Sequence, residues 1–394
     1  MTGDFSIIIN DIPIYNNIDS IIWRLIKYIP QALDYSLDNI SSYIYEIYTE
    51  KYINNINYEV YNTIKERVNQ TIINRKALYD LIAQPQVAQR THEWYELRKN
   101  RLTASAVAQA IGKGKFASKA DLLKDKAFPE MAKPFDSHSC PPLRHGIILE
   151  DMTARCYSQR LNNIHIHNFG MIPHPTLSCF GASPDGINEL GIMVEIKTPY
   201  RRRVDGNIPY EYMVQMQGQM AVCGLTECDF VDAEIYFNYR CIEDYINDNE
   251  LVNMTVDHGI VVEYIDVSND VSNDVSNDAI NRQHMYSPAN LTTKECLQWA
   301  TNIRASKNTQ CLILPWKLVK IIIKRVYFNK EVWCELIPQI TQFWEEVVNL
   351  RNTGIYPISK TNIKTNIKTN INTSTVKKAK KTSLLSQFID SDED

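Results

Sequence analysis

The chain reads as an α/β protein in which strands and helices interleave around a small sheet, behind a helical N-terminal extension. Three observations carry this reading. Met193-Val194-Glu195-Ile196-Lys197-Thr198 alternates charged and apolar residues within an apolar run, the period-two pattern of a strand. Residues 208–224 and 331–350 instead repeat apolar residues at helical spacing, with further strand candidates at 230–239, 259–265 and 316–328. Residues 1–88 carry helical spacing alone, first in Ile21, Ile22, Leu25, Ile26 and Ile29 up to Pro30, then through Leu33, Leu37, Ile40, Tyr43, Ile44 and Ile47.

Composition narrows the class. The 394 residues are 44% hydrophobic and 22% charged, enough to bury a sizeable core. Nine scattered cysteines contain no C-x-x-C pair, so reduced thiols in an intracellular compartment are expected. The opening MTGDFSIIINDIPIYNN lacks the basic and apolar blocks of a signal peptide, and no uncharged apolar run reaches membrane-spanning length. The net charge of −4 means that nucleic-acid binding has to rest on local basic patches. Heavy use of Ile, Asn, Tyr and Lys points to an AT-rich genome of the kind found in some large DNA viruses.

Three segments follow: a helical extension (1–88), a main domain (89–352) and a tail (353–394). Val-Ser-Asn-Asp repeats make 266–278 a low-complexity loop. The tail carries a Lys-Thr-Asn-Ile repeat, a basic cluster (Lys377 to Lys381) and an acidic end, and is read as disordered.

The candidate chemistry sits in the main domain. Thr91 caps a short helix, and Thr103 or Ser105 is expected to cap a second over 106–111. Its free N–H groups, with Arg98 and Arg101 nearby, would make an anion pocket suited to phosphate. A helix over 143–161 places Gly146 and Glu150 on one face. Asp185 follows a Ser-Pro turn opener, and Asn188 to Gly191 make the next turn. Glu195 and Lys197 then share one strand face, while Ile196 anchors the other in a core. Two carboxylates beside a lysine are what a Mg²⁺ site for phosphodiester hydrolysis needs. Arg201, Arg202 and Arg203 form a basic loop placed for a phosphate backbone. In the helix over 208–224, Pro209 fits the first turn, Gly224 closes the end, and Gln215 and Gln219 share a face. The histidines at 165, 167 and 174 lack zinc-ligand spacing.

Five motifs stand in order: W-Y-E-L-R with L-T-A-S (94–105), R-H-G-I-I-L-E (144–150), G-A-S-P-D-G (181–186), V-E-I-K-T-P (194–199) and Y-M-V-Q-M-Q (212–217). This set resembles the YqaJ-type viral recombinase, lambda exonuclease-like family of the PD-(D/E)xK nuclease superfamily. The resemblance covers roughly residues 91–240. It implies a restriction-endonuclease-like core, a small central mixed sheet flanked by helices. It further implies that Asp185, Glu195 and the Ile196 carbonyl ligate Mg²⁺ or Mn²⁺, joined by Glu150 directly or through water. Lys197 would orient and help deprotonate the attacking water, and Gln215 would hold that water or the lysine. Arg98 with Thr103 and Ser105 would receive a terminal 5′ phosphate. The implied activity is a 5′-to-3′ exonuclease on double-stranded DNA ends, leaving 3′ single strands for a single-strand annealing partner, with a homotrimer as the family assembly. Two other readings are an endonuclease of the same superfamily and a catalytically silent DNA-binding scaffold.

Overall fold

The computed structural model describes residues 14–52, 58–89, 91–115, 117–131, 140–254, 256–265, 282–307 and 310–354. The repeat loop at 266–278 and the tail from residue 355 lie outside the described residues.

In chain order the helices are α1 (Ile14–Tyr28), α2 (Leu37–Tyr52), α3 (Tyr58–Ile82), α4 (His92–Lys99), α5 (Val107–Ala110), α6 (Lys119–Ala127), α7 (Pro141–Arg160), α8 (Tyr210–Cys223), α9 (Ile242–Ile246), α10 (Asn249–Val252), α11 (Thr293–Ser306) and α12 (Lys330–Thr353). The strands are β1 (Leu102–Thr103), β2 (Ile166–His167), β3 (Ile172–Pro173), β4 (Phe180–Ala182), β5 (Gly186–Asn188), β6 (Met193–Lys197), β7 (Glu227–Tyr236), β8 (His258–Ile265), β9 (Arg282–Tyr286) and β10 (Cys311–Tyr327).

Among the described residues these strands form a seven-stranded mixed sheet, ordered β2-β5-β6-β7-β10-β8-β9, and a three-stranded sheet, β1-β4-β3. Only β6 and β7 run parallel in the large sheet, and α8 makes the crossover between them. Tyr210 opens α8 behind Pro209, which stands at the N-cap, one step outside the expected first turn. Gly224 ends the helix at φ +67, a left-handed conformation that glycine adopts without a Cβ clash. Met216, Met220 and Cys223 face the main core with Phe180, Phe230 and Phe343.

The sheet is larger than sequence patterning indicates, because β10 changes partner along its length. Residues 311–317 pair with β8 and residues 317–327 with β7. Pro315 lies in the first half, where pairing runs to β8 alone, so its missing N–H costs no ladder bond.

The N-terminal helices form a wall against the sheet. Ile18, Ile22, Ile44 and Val68 share a core with Tyr157, Val194, Ile196 and Val231. Ile196 is therefore buried on the face opposite Lys197, as strand alternation requires. A buried charge network runs alongside. Arg67 meets Asp19 at 2.5 Å and also Glu227, while Arg325 meets Asp229 at 2.5 Å and Glu227 at 2.6 Å. Tyr157 donates to Asp229 at 2.7 Å, and burial pushes its phenol well above the ordinary range. Charges this deeply desolvated persist because each meets an opposite charge, although Arg67 Nη2 is left without a hydrogen-bond partner among the described residues.

Candidate active site and its basic pocket

The site assembles where β4, β5 and β6 end. Asp185 stands in the turn between β4 and β5, and β5 pairs antiparallel with β6 with Gly186 opposite Val194. A Cβ at Gly186 would lie 2.3 Å from Ile166 Cγ2, so only glycine fits there. The next turn is fixed by Asn188, whose Oδ1 accepts from Leu190 N at 2.9 Å and Ile192 N at 3.2 Å. This framework brings the Asp185 Oδ2 to 2.7 Å from the Ile196 N–H, which donates to it. Two strands thus hold the two acids in a fixed relation.

Glu195 is fully buried and its carboxylate is saturated with donors. Lys197 and Gln215 both donate to Oε1, the latter at 2.6 Å, and Gln219 donates to Oε2 at 2.8 Å. The shared face of Gln215 and Gln219 therefore aims at one carboxylate. The Lys197 ammonium also lies 4.9 Å from the centre of the Tyr212 ring. Burial alone would lower the Lys197 pKa, but Glu195 and Asp185 beside it hold it above the ordinary lysine value. The Asp185 carboxyl is raised as well, which in its case favours the neutral form: burial, then Glu195 and Glu150, push it well above the ordinary range. That effect places Glu150 of α7 within electrostatic reach of Asp185. A Cβ at Gly146 would meet nothing within 4 Å, so packing inside this chain makes no demand for glycine there.

Crowded carboxylates of this kind fit a hard divalent cation, which Mg²⁺-type sites hold by one or two carboxylates plus water and substrate oxygens. Asp185 and Glu195 are the oxygen donors able to do so, with the Ile196 carbonyl and Glu150 as further candidates. Among the described residues no group of three or more His, Cys, Asp or Glu is arranged to hold a metal by itself.

A second cluster lies on α4 and the segment after it. Thr91 caps α4 by accepting from Trp94 N at 3.3 Å. The Arg98 guanidinium stacks 4.2 Å from the centre of the Trp94 ring. Trp94 Nε1 in turn donates to Ser183 Oγ at 3.1 Å, two residues before Asp185. Arg101 Nε is buried without a hydrogen-bond partner. Lys126 of α6 donates to the Arg98 carbonyl at 2.5 Å, and burial, with Arg98 and Arg351 nearby, lowers its pKa to about 7.

Two sequence expectations change here. The helix expected over 106–111 is the four-residue α5, preceded by a 3-10 turn over Ala104–Ala106. Neither Thr103 nor Ser105 caps it; their hydroxyls lie 3.2 Å apart and bond each other. The basic groups gathered beside this segment are Arg98, Arg101 and Lys126, with Thr103 buried and Ser105 exposed.

In the basic loop, Arg201 and Arg203 are exposed. Arg202 is committed: it makes a two-point contact with the buried Asp232, at 2.9 and 2.6 Å. Asp232 sits directly opposite Lys197 in the β6–β7 register. Sequence reading missed Asp232, Tyr212 and Lys126. The parallel register that brings Asp232 level with Lys197 has no local sequence signature.

Comparison with known proteins follows the same geography. Residues 93–228, which include Arg98, Glu150, Asp185, Glu195, Lys197 and Gln215, match the YqaJ-like viral recombinase domain. An uncharacterized protein of Acanthamoeba polyphaga mimivirus is 26% identical over 313 residues. That alignment takes in 71% of this chain but 56% of the relative, so the chain spans little more than half of that protein's length. Among solved structures, an alkaline exonuclease from Laribacter hongkongensis aligns at 19% identity over 67% of this chain and 95% of its own, with a TM-score of 0.39. A phage-related exonuclease from Haemophilus somnus aligns at 11% identity over 65% and 96%, with a TM-score of 0.35. Over the stretch that builds the carboxylate–lysine site, the chain is similar to the YqaJ-like viral recombinase domain.

Proposed function

We propose that the chain is a metal-dependent deoxyribonuclease that degrades double-stranded DNA from 5′ ends and leaves 3′ single strands for recombination or repair. The observation that most supports this is Glu195, buried between Lys197, Gln215 and Gln219 and one strand away from Asp185. Burying that concentration of charge inside the sheet costs stability, which is a feature of functional sites.

In this reading Asp185, Glu195 and the Ile196 carbonyl would hold Mg²⁺ or Mn²⁺, joined by Glu150 directly or through water. The ion, when bound, acidifies a water and offsets charge on the phosphate under attack. The chain supplies the rest. Lys197 sets a cation beside the reacting phosphate and orients the attacking water, and the Gln215 amide fixes Glu195 and that water relative to each other. Arg98, held flat on Trp94, receives a terminal 5′ phosphate together with Arg101 and the Thr103 and Ser105 hydroxyls. Arg201 and Arg203 contact backbone phosphates, while Arg202 pins their loop to Asp232. A single-strand annealing protein would take the 3′ strand, and a ring of copies of this chain would hold the duplex.

The test is degradation of end-labelled linear duplex with Mg²⁺, with and without 5′ phosphate, beside closed circular DNA. The reading requires linear DNA to be consumed, 5′-phosphorylated ends first. Efficient cutting of closed circles would refute the exonuclease assignment.

A further inference from the structure

Helix α8 buries two glutamines, Gln217 and Gln219, each 1% exposed, and uses them in opposite ways. Gln217 spends both halves of its amide on backbone: Nε2 donates to the Tyr327 carbonyl at 3.0 Å, and Oε1 accepts from the Asn329 N–H at 2.7 Å. That side chain ties α8 to the end of β10 and the start of α12, a structural task. Gln219 makes a single bond, from Nε2 to Glu195 Oε2 at 2.8 Å, and its buried Oε1 has no hydrogen-bond partner among the described residues. The carboxylate fixes which way this amide points, because the reverse orientation would set two oxygens against each other. An unmade buried carbonyl costs stability, and Met216, Met220 and Cys223 of the same helix are apolar core residues. Packing therefore gives no reason for an amide at 219, whereas the Glu195 carboxylate does.

The two oxygens of Glu195 meet different surroundings. Oε1 takes its donors from Lys197 and Gln215, half-buried side chains that reach solvent. Oε2 takes its donor from Gln219, which does not. The long lysine stem is free to withdraw from Oε1 when another cation arrives, but an enclosed glutamine has nowhere to withdraw from Oε2. We infer, on the reading of this site as a metal-dependent nuclease, that Gln219 is a positioning residue. It anchors the inner oxygen Oε2, which keeps the outer oxygen Oε1 turned to the open side of the site and available to a divalent cation. Partners of this kind, which hold a ligating carboxylate by hydrogen bond, are worth about 10–100-fold in metal affinity.

The probe is Mn²⁺ alone, titrated into the full chain without DNA and followed by electron paramagnetic resonance of the free ion. Gln219→Met keeps the length of the side chain and removes the donor, while Gln219→Asn keeps an amide that stops short of Oε2. Each should weaken Mn²⁺ binding about tenfold or more, with a cooperative thermal melt retained in at least one of them. Gln217→Met removes a buried amide from the same helix and should lower the melting temperature while leaving Mn²⁺ affinity unchanged. Unchanged affinity in the folded Gln219 variants, or an equal loss in Gln217→Met, overturns the assignment of Gln219 and leaves the nuclease reading standing. Failure of the wild type to bind Mn²⁺ overturns the metal-dependent reading, and this inference with it, so the two failures are separate results.

Discussion

Trp94 links Arg98 to the turn before β5: its Nε1 donates to Ser183 Oγ at 3.1 Å while its ring carries the Arg98 guanidinium 4.2 Å from its centre. One indole thus sets the distance between the basic pocket and the turn that presents Asp185. Trp94→Phe keeps the stacking surface and removes the bond, worth about 0.5–1.5 kcal/mol. The preference for 5′-phosphorylated over hydroxyl ends should fall up to about tenfold, read as the ratio of the two digestion rates. An unchanged ratio would show that the link has no functional weight.

The basic loop separates by role. Arg201→Gln and Arg203→Gln should each weaken duplex binding and lower the slope of log affinity against log salt by about 1. Arg202→Gln should instead lower the melting temperature, because it leaves the buried Asp232 unpaired. Fluorescence anisotropy at several salt concentrations, with thermal melts, distinguishes the two outcomes.

The pH dependence of the basic pocket follows from Lys126, whose pKa falls to about 7 through burial and its arginine neighbours. Below pH 7 both folded and unfolded chains carry this proton. Between about pH 7 and the ordinary lysine value the unfolded chain binds more protons, so this group makes stability rise with pH in that window. Binding of a terminal phosphate should move oppositely, weakening above pH 7 as the pocket loses a cation. Lys126→Met should flatten both trends, measured by denaturant titration and by affinity for a 5′-phosphorylated end across pH 6–9.

The buried network between the N-terminal helices and the sheet is a stability element. Arg325→Ala strands Asp229 and Glu227 without their main cation and should cost about 3–5 kcal/mol, measured by chemical denaturation. A loss below about 1 kcal/mol would mean that the network behaves like a surface pair.

How much of this was legible in the sequence depends on range. Glu195 and Lys197 declare a shared face because strand side chains repeat every two residues, and Gln215 and Gln219 because a helix turn is close to four. Gly224 marks a helix end that the structure places there. The partners of these residues were not legible in the same way. Arg325 meets Asp19 across 306 positions and Glu227 across 98, and each of those residues alone reads as a surface charge. Arg202 looked like a free phosphate ligand because its partner Asp232 lies 30 residues away on the next strand. Thr103 and Ser105 looked like caps because local preference favours them, whereas α5 is a single turn whose N-cap is Ala106.

A hydrolytic role for Glu195 and Lys197, as opposed to that of a structural ion pair, is tested by following a 5′-end-labelled linear duplex with Mg²⁺ for the wild type and for Glu195→Ala, with folding of both verified by thermal melting. The wild type should digest the duplex, and the variant should do so at a rate at least about a hundredfold lower, the smaller end of what a positioned acid or electrostatic group contributes. Equal rates in the two proteins, or no Mg²⁺-dependent digestion by the wild type, would contradict it.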